Sequence, residues 1–346
     1  MKLLVTGGSG FIGSHFIRLQ LKNYPDVHIT NVDALTYAAH PDTQLELSQL
    51  APDRYRFLKA DIASPNLAKE VDFSKIDAII NFAAETHVDR SILDPGAFVQ
   101  TNVVGVQNLL TLARENGKIR LVHVSTDEVY GTLAPKDPTS VETSILDPNS
   151  PYAASKASAD LIALASCRTY QQPVLITRCT NNYGPYQFPE KLLPLLISNA
   201  YEDLPIPVYG DGLQVRDWIY VEDHADGIDA VLRKGKSGEI YNISASEEKP
   251  NIQVIQKVLN IMGKSPSLIT YVGDRPAHDR RYGLNAAKIK KELGWYPKHS
   301  FEQGITETVN WYLNNKPWWQ KVKNQDFKKY YEANYDKKFQ SGEKTR

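Results

Sequence analysis

Net charge, cysteine and long apolar runs are all scarce in this chain of 346 residues. Its 40 basic residues balance 40 acidic residues, so no overall field would recruit nucleic acid or an anionic membrane. Any anion-binding site must therefore be local. The two cysteines, Cys167 and Cys179, are too few for a disulfide scaffold, and no spacing resembles a metal site, so we expect no bound metal.

No apolar run is long enough to span a membrane, and the sequence passes from Met1 directly into a strand-like segment without a signal-peptide pattern. We therefore expect a cytoplasmic protein with no membrane or nucleic-acid partner. The length permits one large α/β domain or two unequal lobes.

Short apolar segments alternate with helical patterns through the first 180 residues, which predicts an α/β fold with a doubly wound parallel sheet. Strands are predicted at 2–6, 29–32, 56–59, 78–82, 121–124 and 174–178, and helices at 98–116 and 152–170. After residue 180 the pattern loosens into polar islands, with predicted turns at 181–185 and 207–212. The lysine-rich run at 337–344 is predicted to be a solvated tail.

A glycine-rich turn, Thr6-Gly-Gly-Ser-Gly-Phe-Ile-Gly13, follows the first predicted strand. Gly7, Gly10 and Gly13 permit a tight turn, close approach to a pyrophosphate and close packing of helix on strand. Asp33 ends the second strand, where a carboxylate accepts hydrogen bonds from both adenosine ribose hydroxyls and would repel a 2′-phosphate. The pattern favours a Rossmann-type NAD site; the alternative is a glycine turn without a ligand.

This interpretation divides the chain into two parts. Residues 1–180 would form the NAD-binding Rossmann domain and carry the catalytic residues. Residues 181–346 would form a smaller α/β lobe that mainly binds the substrate, with the chain free to cross between the two.

A hydroxyl and two carboxyls follow the fifth predicted strand, at Thr126, Asp127 and Glu128. Ligands bind at the carboxyl ends of parallel strands, so these side chains would face a crevice and could act as an acid and base pair. The alternative, equally weighted on these residues alone, is that Asp127 and Glu128 only cap the next turn.

Tyr152 and Lys156 are four residues apart, so they share one face of the predicted helix. A nearby cation stabilises a phenolate, which predicts a lowered pKa for Tyr152 and a role as a base. Lys191, Arg216 and Arg275 are candidate diphosphate ligands because ammonium and guanidinium groups suit phosphate oxygens; the alternative for each is a surface ion pair.

Two further strand ends carry candidate cofactor contacts. Asp61 and Ile62 follow the third strand and are placed to touch an adenine, while small residues after the fourth strand would let a cofactor lie against the backbone. We interpret His87, farther along, as a hydrogen-bonded structural histidine rather than a catalytic one. Thr101, near the start of its predicted helix, would be a cap or core residue.

These motifs together resemble the extended short-chain dehydrogenase/reductase superfamily, through the glycine turn, Asp61-Ile62 and Tyr152-x-x-x-Lys156. Longer blocks, at 84–91, 125–131, 178–191, 216–224 and 274–282, are similar to the dTDP-glucose 4,6-dehydratase family. The Thr-Asp-Glu triplet is the most discriminating block, because related epimerases lack two carboxyls there. Ala277 departs from the family, which usually has glycine at that position.

The resemblance implies a lyase that converts dTDP-glucose to dTDP-4-keto-6-deoxyglucose and water with bound NAD. It also implies a homodimer formed through helices 98–116 and 152–170; the alternative, equally open on the sequence, is that their apolar residues belong to the core. Besides the glycines, the implied NAD contacts are Phe11, Ile12, Asp33, Leu35, Thr36, Asp61, Ile62, Ala83, Ala84, Thr101, Tyr152, Lys156 and Asn182. The implied nucleotide-sugar contacts are Thr86, Thr126, Asn181, Lys191, Leu192, Pro207, Tyr209, Arg216, Asn251, Arg275 and His278.

Five residues would carry the chemistry. Oxidation of C4 makes the hydrogen on C5 acidic: Tyr152, assisted by Lys156, would take the 4-hydroxyl proton while Thr126 hydrogen-bonds the C4 oxygen. Glu128 would then remove the C5 proton, and Asp127 would protonate the departing C6 hydroxyl.

Several alternatives to this function stay open on the sequence. The chain could be a UDP-glucose 4,6-dehydratase, which shares the triplet, a nucleotide-sugar 4-epimerase or decarboxylase, or a non-catalytic NAD-binding module. The sequence does not separate thymine from uracil in the substrate, nor rhamnose from another deoxysugar as the end product.

Overall fold

The computed structural model describes residues 1–40 and 42–323, together with Phe327 and Tyr331. The predicted tail at 337–344 lies outside these residues. None of the helices in the described part of the chain has the length and apolar character needed to cross a membrane.

Twelve strands belong to three sheets in the described chain. They are β1 (Lys2–Thr6), β2 (His28–Asp33), β3 (Tyr55–Lys59), β4 (Ala78–Asn81), β5 (Arg120–Thr126), β6 (Val174–Cys179), β7 (Asn181–Tyr183), β8 (Ile206–Tyr209), β9 (Val215–Tyr220), β10 (Ile240–Ile243), β11 (Glu248–Pro250) and β12 (Ile269–Val272).

Helices connect these strands. They are α1 (Phe11–Asn23), α2 (Thr43–Leu50), α3 (Leu67–Glu70), α4 (Val88–Leu93), α5 (Pro95–Val99), α6 (Val106–Glu115), α7 (Pro151–Tyr170), α8 (Leu192–Tyr201), α9 (Val221–Lys234), α10 (Asn251–Met262), α11 (Ala287–Leu293), α12 (Phe301–Asn314) and α13 (Lys316–Val322). A π-helical stretch, Gln100–Gly105, joins α5 to α6.

Seven strands form one parallel sheet in the order β10-β6-β5-β4-β1-β2-β3. Leu3 packs into a core with α1, α9 and α11, while Leu4 packs into a second core with α6 and α7 on the opposite face. Because both faces are covered, the strands direct apolar side chains to both sides of the sheet, as buried parallel strands require. The arrangement confirms the predicted doubly wound α/β fold, and the chain order reverses beside β1, where such sheets bind ligands.

The chain after β6 builds two small sheets, β11-β9-β7 and β12-β8. Helices α8, α10, α12 and α13 cover them around a separate apolar core that includes Trp218 and Trp319. Strand β10 returns to the large sheet beside β6, so the chain crosses between the two parts. The boundary at residue 180 stays a prediction.

Several local predictions need correction. The predicted turn at 181–185 is wrong in its first half, because β7 pairs with β9 there. The predicted turn at 207–212 starts only after Tyr209, because the residues before it pair with β12. The predicted helix at 98–116 is interrupted by the π-helical stretch. Strand β5 continues to Thr126, two residues beyond the predicted end.

Candidate active site

One cleft runs along the carboxyl ends of the parallel strands. All five predicted catalytic residues line it, and so does every predicted cofactor residue except Leu35. Of the predicted substrate residues, Thr86, Thr126, Asn181 and Lys191 line it. The predicted substrate residues that do not are Leu192, Pro207, Tyr209, Arg216, Asn251, Arg275 and His278.

The glycine turn forms a cradle at the start of α1. Gly7 has φ 72°, and a Cβ there would lie 2.5 Å from the backbone nitrogen of Ala83, so only glycine fits. Gly10 is the N-cap of helix α1 and offers no side chain to cap it, and the first turn of the helix has no acidic residue. Its first N–H groups are therefore open to an anion, and the residues present fit a dinucleotide pyrophosphate.

Asp33 lies at the end of β2 and is held by backbone N–H groups. Its Oδ2 accepts from Ser9 N at 2.9 Å and its Oδ1 from Leu35 N at 2.8 Å. Burial raises the pKa of Asp33, and these two hydrogen bonds oppose the rise. Leu35 adopts φ 54° and contributes its backbone to Asp33 rather than a side chain to the cleft.

Thr126 caps the short turn Asp127–Tyr130, since its Oγ1 accepts from Glu128 N at 3.3 Å. Within the described chain the carboxyls of Asp127 and Glu128 accept no backbone N–H, so capping does not explain them. Asp127 is buried; its Oδ1 accepts from the Thr126 hydroxyl at 3.2 Å, and its Oδ2 has no hydrogen-bond partner in the described chain.

The environments of the two adjacent carboxyls differ. Burial, and after it the charge of Glu128, raises the pKa of Asp127 well above its usual range. Burial also raises the pKa of Glu128, but the positive charges of Arg275, Arg216 and Lys191 oppose that rise. Asp127 is thus suited to hold a proton and Glu128 to accept one.

Helix α7 presents Tyr152 and Lys156 to the cleft. Ser150 caps the helix by accepting from Ala153 N at 3.1 Å, which places both side chains in its first two turns. Lys156 Nζ donates to the backbone oxygen of Val124 at 2.8 Å, and burial lowers the pKa of Lys156 to about 8.

The predicted lowering of the Tyr152 pKa is wrong when only the chain's own residues surround the phenol. Burial, followed by the charge of Glu128, raises the pKa of Tyr152 well above its usual range. The helix spacing identified the cation, Lys156, but not the desolvation and the carboxyl that outweigh it.

A buried polar network behind Lys156 was missed by the sequence analysis. His123 Nε2 lies 3.4 Å from Lys156 Nζ, and Asn81 Nδ2 lies 3.1 Å from His123 Nδ1. Asp160 pairs with Arg178 Nε at 2.8 Å. The position of Asp160, one turn after Lys156, could have revealed it; His123 is hidden within an apolar strand.

Arg216 and Arg275, from the chain after β6, lie beyond the cleft lining but act on Glu128 electrostatically. Arg275 Nη1 pairs with Asp89 Oδ1 at 3.2 Å, and Tyr209 OH donates to Asp89 Oδ2 at 2.9 Å. Arg216 Nη2 donates to the backbone oxygen of Asp279 at 2.9 Å. Asp89, which the sequence analysis missed, is the buried carboxylate that orients Arg275.

Two other predictions concern histidine and metal. His87 is buried outside the cleft lining, and burial lowers its pKa to about 4, so it is neutral at physiological pH. Among the described residues, no group of three or more His, Cys, Asp or Glu side chains is placed to hold a metal ion.

Known proteins resemble this chain over nearly its whole length. The sequence model of the GDP-mannose 4,6 dehydratase family matches residues 4–308. A dTDP-glucose 4,6-dehydratase of Salmonella typhimurium is 45% identical over 361 residues, covering 97% of this chain and 99% of its own.

Two solved structures are similar to the chain in fold and sequence. The dTDP-glucose 4,6-dehydratase of Bacillus anthracis in complex with NAD superposes with a TM-score of 0.86 at 48% identity, covering 93% of this chain and 99% of its own. The dTDP-glucose 4,6-dehydratase of Streptomyces venezuelae with NAD and TYD bound gives a TM-score of 0.88 at 47% identity, covering 93% of this chain and 100% of its own.

Proposed function

The chain belongs to the dTDP-glucose 4,6-dehydratase family, and from this premise we propose that it converts dTDP-glucose to dTDP-4-keto-6-deoxyglucose and water. The observation that carries the proposal is the pair Asp127 and Glu128 beside Tyr152 in one cleft. A 4-epimerase or decarboxylase also oxidises C4 but has no use for a second acid and base pair that expels water.

NAD is the cofactor that the cleft would hold. Bound NAD accepts a hydride from C4 and returns it to C6, so the reaction has no net redox change. The cradle at the start of α1 would bind the pyrophosphate, Asp33 the adenosine ribose, and Asp61 with Ile62 the adenine. Tyr152 and Lys156 would bind the nicotinamide ribose.

The first proton transfer is assigned to Tyr152. Its phenol is protonated in the environment that this chain supplies, so a positive charge must stabilise the phenolate before it can act as a base. The Lys156 ammonium, in the same cleft, is the chain's own source of that charge at neutral pH. Thr126 would hydrogen-bond the C4 oxygen as the ketone forms.

The second stage removes water across C5 and C6. Glu128 takes the C5 proton, the bond from C6 to its hydroxyl breaks, and Asp127 donates the proton that makes the hydroxyl leave as water. Glu128 then returns a proton to C5 as the hydride reaches C6. At the end of the cycle Tyr152 holds one extra proton and Asp127 has lost one. Exchange with solvent removes the first and replaces the second.

We also propose that the chain forms a homodimer through the two predicted helical segments. Large apolar side chains remain exposed on both: Val99 and Val104 on one segment, and Leu161 on the other. Helix α5 and the π-helical stretch, which carry Val99 and Val104, both pack against α7, so these residues can share one surface with Leu161. Light scattering at micromolar concentration should give a dimer, and Leu161→Glu should yield monomers; a monomeric wild-type chain would contradict the proposal.

The function is tested by incubating the purified protein with dTDP-glucose, UDP-glucose and CDP-glucose in parallel. We expect a 4-keto product with a 6-methyl group from dTDP-glucose, and deuterium placed on C4 should appear on C6. Equal turnover of UDP-glucose would favour the uracil alternative. A 4-epimer without a methyl group would overturn the dehydratase assignment, and retained NAD with no conversion would favour a non-catalytic module.

A further inference from the structure

The tryptophan-rich segment near the end of the described chain lies outside the sequence blocks that carry the family resemblance. Trp318, on α13, stacks on His40 with ring centroids 4.4 Å apart and planes 11° from parallel. His40 Nε2 also lies 3.3 Å from the backbone oxygen of Trp318. Because His40 is buried, this contact is part of a packed interface rather than a surface encounter.

The segment that carries His40 is part of the cofactor site. Residues 34–40, here called the cofactor loop, follow Asp33 at the end of β2. Four of them, Ala34, Thr36, Ala38 and Ala39, line the cleft. His40 comes directly after these residues, so the stack with Trp318 fixes the far end of the cofactor loop.

A second contact joins α13 to the chain just after the loop. Lys321 Nζ lies 2.7 Å from both carboxylate oxygens of Asp42, the residue before α2. This ion pair is exposed and by itself would contribute little. It acts, however, on the same short stretch of chain as the stack of Trp318 on His40. The two contacts together therefore restrict the C-terminal end of the cofactor loop.

Tyr186 extends the interface beneath α13. Its ring lies 4.6 Å from that of Trp311 and 5.7 Å from that of Trp318, and its hydroxyl donates to Glu46 Oε1 on α2 at 3.1 Å. Helix α2 is therefore anchored to the same aromatic cluster as the cofactor loop.

We propose that Trp318 and Lys321 are positioning residues that hold the cofactor loop against bound NAD and so slow the release of the cofactor. The inference rests on the proposed function, since it takes NAD as the occupant of the cleft. A connection between strand and helix is ordinarily among the more mobile parts of a fold. Contacts to α13 order it beforehand, so binding NAD costs less conformational entropy. Slow release suits a reaction that regenerates NAD within each turnover.

The test compares Trp318→Ala, Lys321→Ala and the conservative variant Trp318→Tyr with the wild-type chain. Lys298→Ala is the matched control, because it removes another exposed ion pair, with Asp226 at 3.1 Å, that does not touch the loop. The measurements are NAD content per subunit after gel filtration, the rate of NAD release into a trapping enzyme, and kcat and KM for dTDP-glucose with saturating NAD.

We expect Trp318→Ala to release NAD roughly two- to tenfold faster, the range that an aromatic stack supports. Lys321→Ala should give a smaller increase, Trp318→Tyr should restore slow release, and Lys298→Ala should match the wild type. With saturating NAD, kcat and KM for dTDP-glucose should be unchanged, which a general loss of structure would not allow.

Two results would overturn the inference: wild-type release rates in both alanine variants, or a kcat that stays low at saturating NAD while release is unchanged. Lys321→Ala keeps the test decisive if Trp318→Ala does not fold, because the Lys321 side chain is half exposed. A wild-type chain that binds no NAD would instead overturn the proposed function, and this inference with it.

Discussion

The two sides of the active-site region are built in different ways. On the cofactor side, meaning the strand ends of the large sheet and the first turns of α7, functional side chains lie a few residues from a strand or helix end. On the substrate side, meaning the elements that carry Tyr209, Arg216 and Arg275, side chains are held by distant partners. Asp89 binds Tyr209 across 120 residues and Arg275 across 186.

This difference predicts which measured property a substitution on each side should change. The backbone of a strand end fixes the cofactor side, so changes there should alter the chemical step or NAD binding while substrate affinity stays intact. Other side chains hold the substrate side, so changes there should raise KM while kcat and NAD content stay intact. Asp127 and Glu128 stand where the two sides meet.

The largest effect is expected for Glu128→Gln, at this junction. Loss of a positioned base should lower turnover roughly a hundred- to ten-thousand-fold. Because oxidation of C4 precedes proton removal, some reduction of NAD should persist, seen as the absorbance of NADH, while solvent deuterium should no longer enter C5. The amide keeps the shape of the side chain, so NAD content should match the wild type.

Normal exchange of deuterium at C5 in this variant would refute the role of Glu128. Asp127→Asn provides the paired comparison, because it removes the acid and leaves the base. It should retain exchange at C5 and lose product formation, and near-normal turnover would take Asp127 out of the mechanism.

The contrast also explains how much the sequence could predict. The cradle, Asp33 and the Tyr152 and Lys156 pair could be placed because short-range spacing and the sheet-edge rule fix them. Asp89 could not, because nothing local indicates a partner so far along the chain. The raised pKa of Tyr152 was missed for a related reason: burial is a property of the whole fold, and spacing records only the nearby lysine.

Asp89→Asn tests the substrate side alone. The amide that replaces the carboxylate is neutral, so Arg275 would lose a charge-assisted hydrogen bond of the kind worth about 1.5–3 kcal/mol. We expect KM for dTDP-glucose to rise roughly tenfold or more, with kcat and NAD content unchanged. Asp203→Asn, which breaks an exposed ion pair with Lys264, is the control and should leave KM unaltered. A lowered kcat with normal KM would contradict the assignment of KM effects to the substrate side.

Lys156→Met measures how far the buried charge of Lys156, on the cofactor side, lowers the free energy of unfolding. Burial lowers the pKa of Lys156 from 10.5 to about 8, so between these values the folded chain binds fewer protons than the unfolded chain. The contribution of Lys156 to the free energy of unfolding therefore becomes more favourable as pH rises between these two values. Below pH 8 Lys156 is charged in the folded chain, so the whole destabilising effect of burying the charge applies. Methionine removes the charge, so the variant should be inactive yet more stable near neutral pH.

The expected gain in the free energy of unfolding is about 1–2 kcal/mol, less than the roughly 3 kcal/mol that the whole pKa shift represents. The difference arises because Val124 loses the hydrogen bond that Lys156 donates. Denaturant titrations at neutral pH and at a pH between the two pKa values check this, and the gain should shrink at the higher pH. A variant less stable than the wild type at neutral pH would show that the buried charge of Lys156 does not destabilise the fold.

The smallest effect is expected at Ala277, on the substrate side between Arg275 and His278. Its φ of 53° lies in the left-handed region, which costs a residue with a Cβ about 1–2 kcal/mol. Ala277→Gly relieves that strain but gives the unfolded chain more freedom, worth about 0.4–1 kcal/mol, so the net gain should stay below about 1 kcal/mol. Ala287→Gly, at an exposed position of α11, is the control and should destabilise by up to about 1 kcal/mol. Equal losses in both variants, measured by denaturant titration, would mean that the turn carrying Arg275 holds no strain at Ala277.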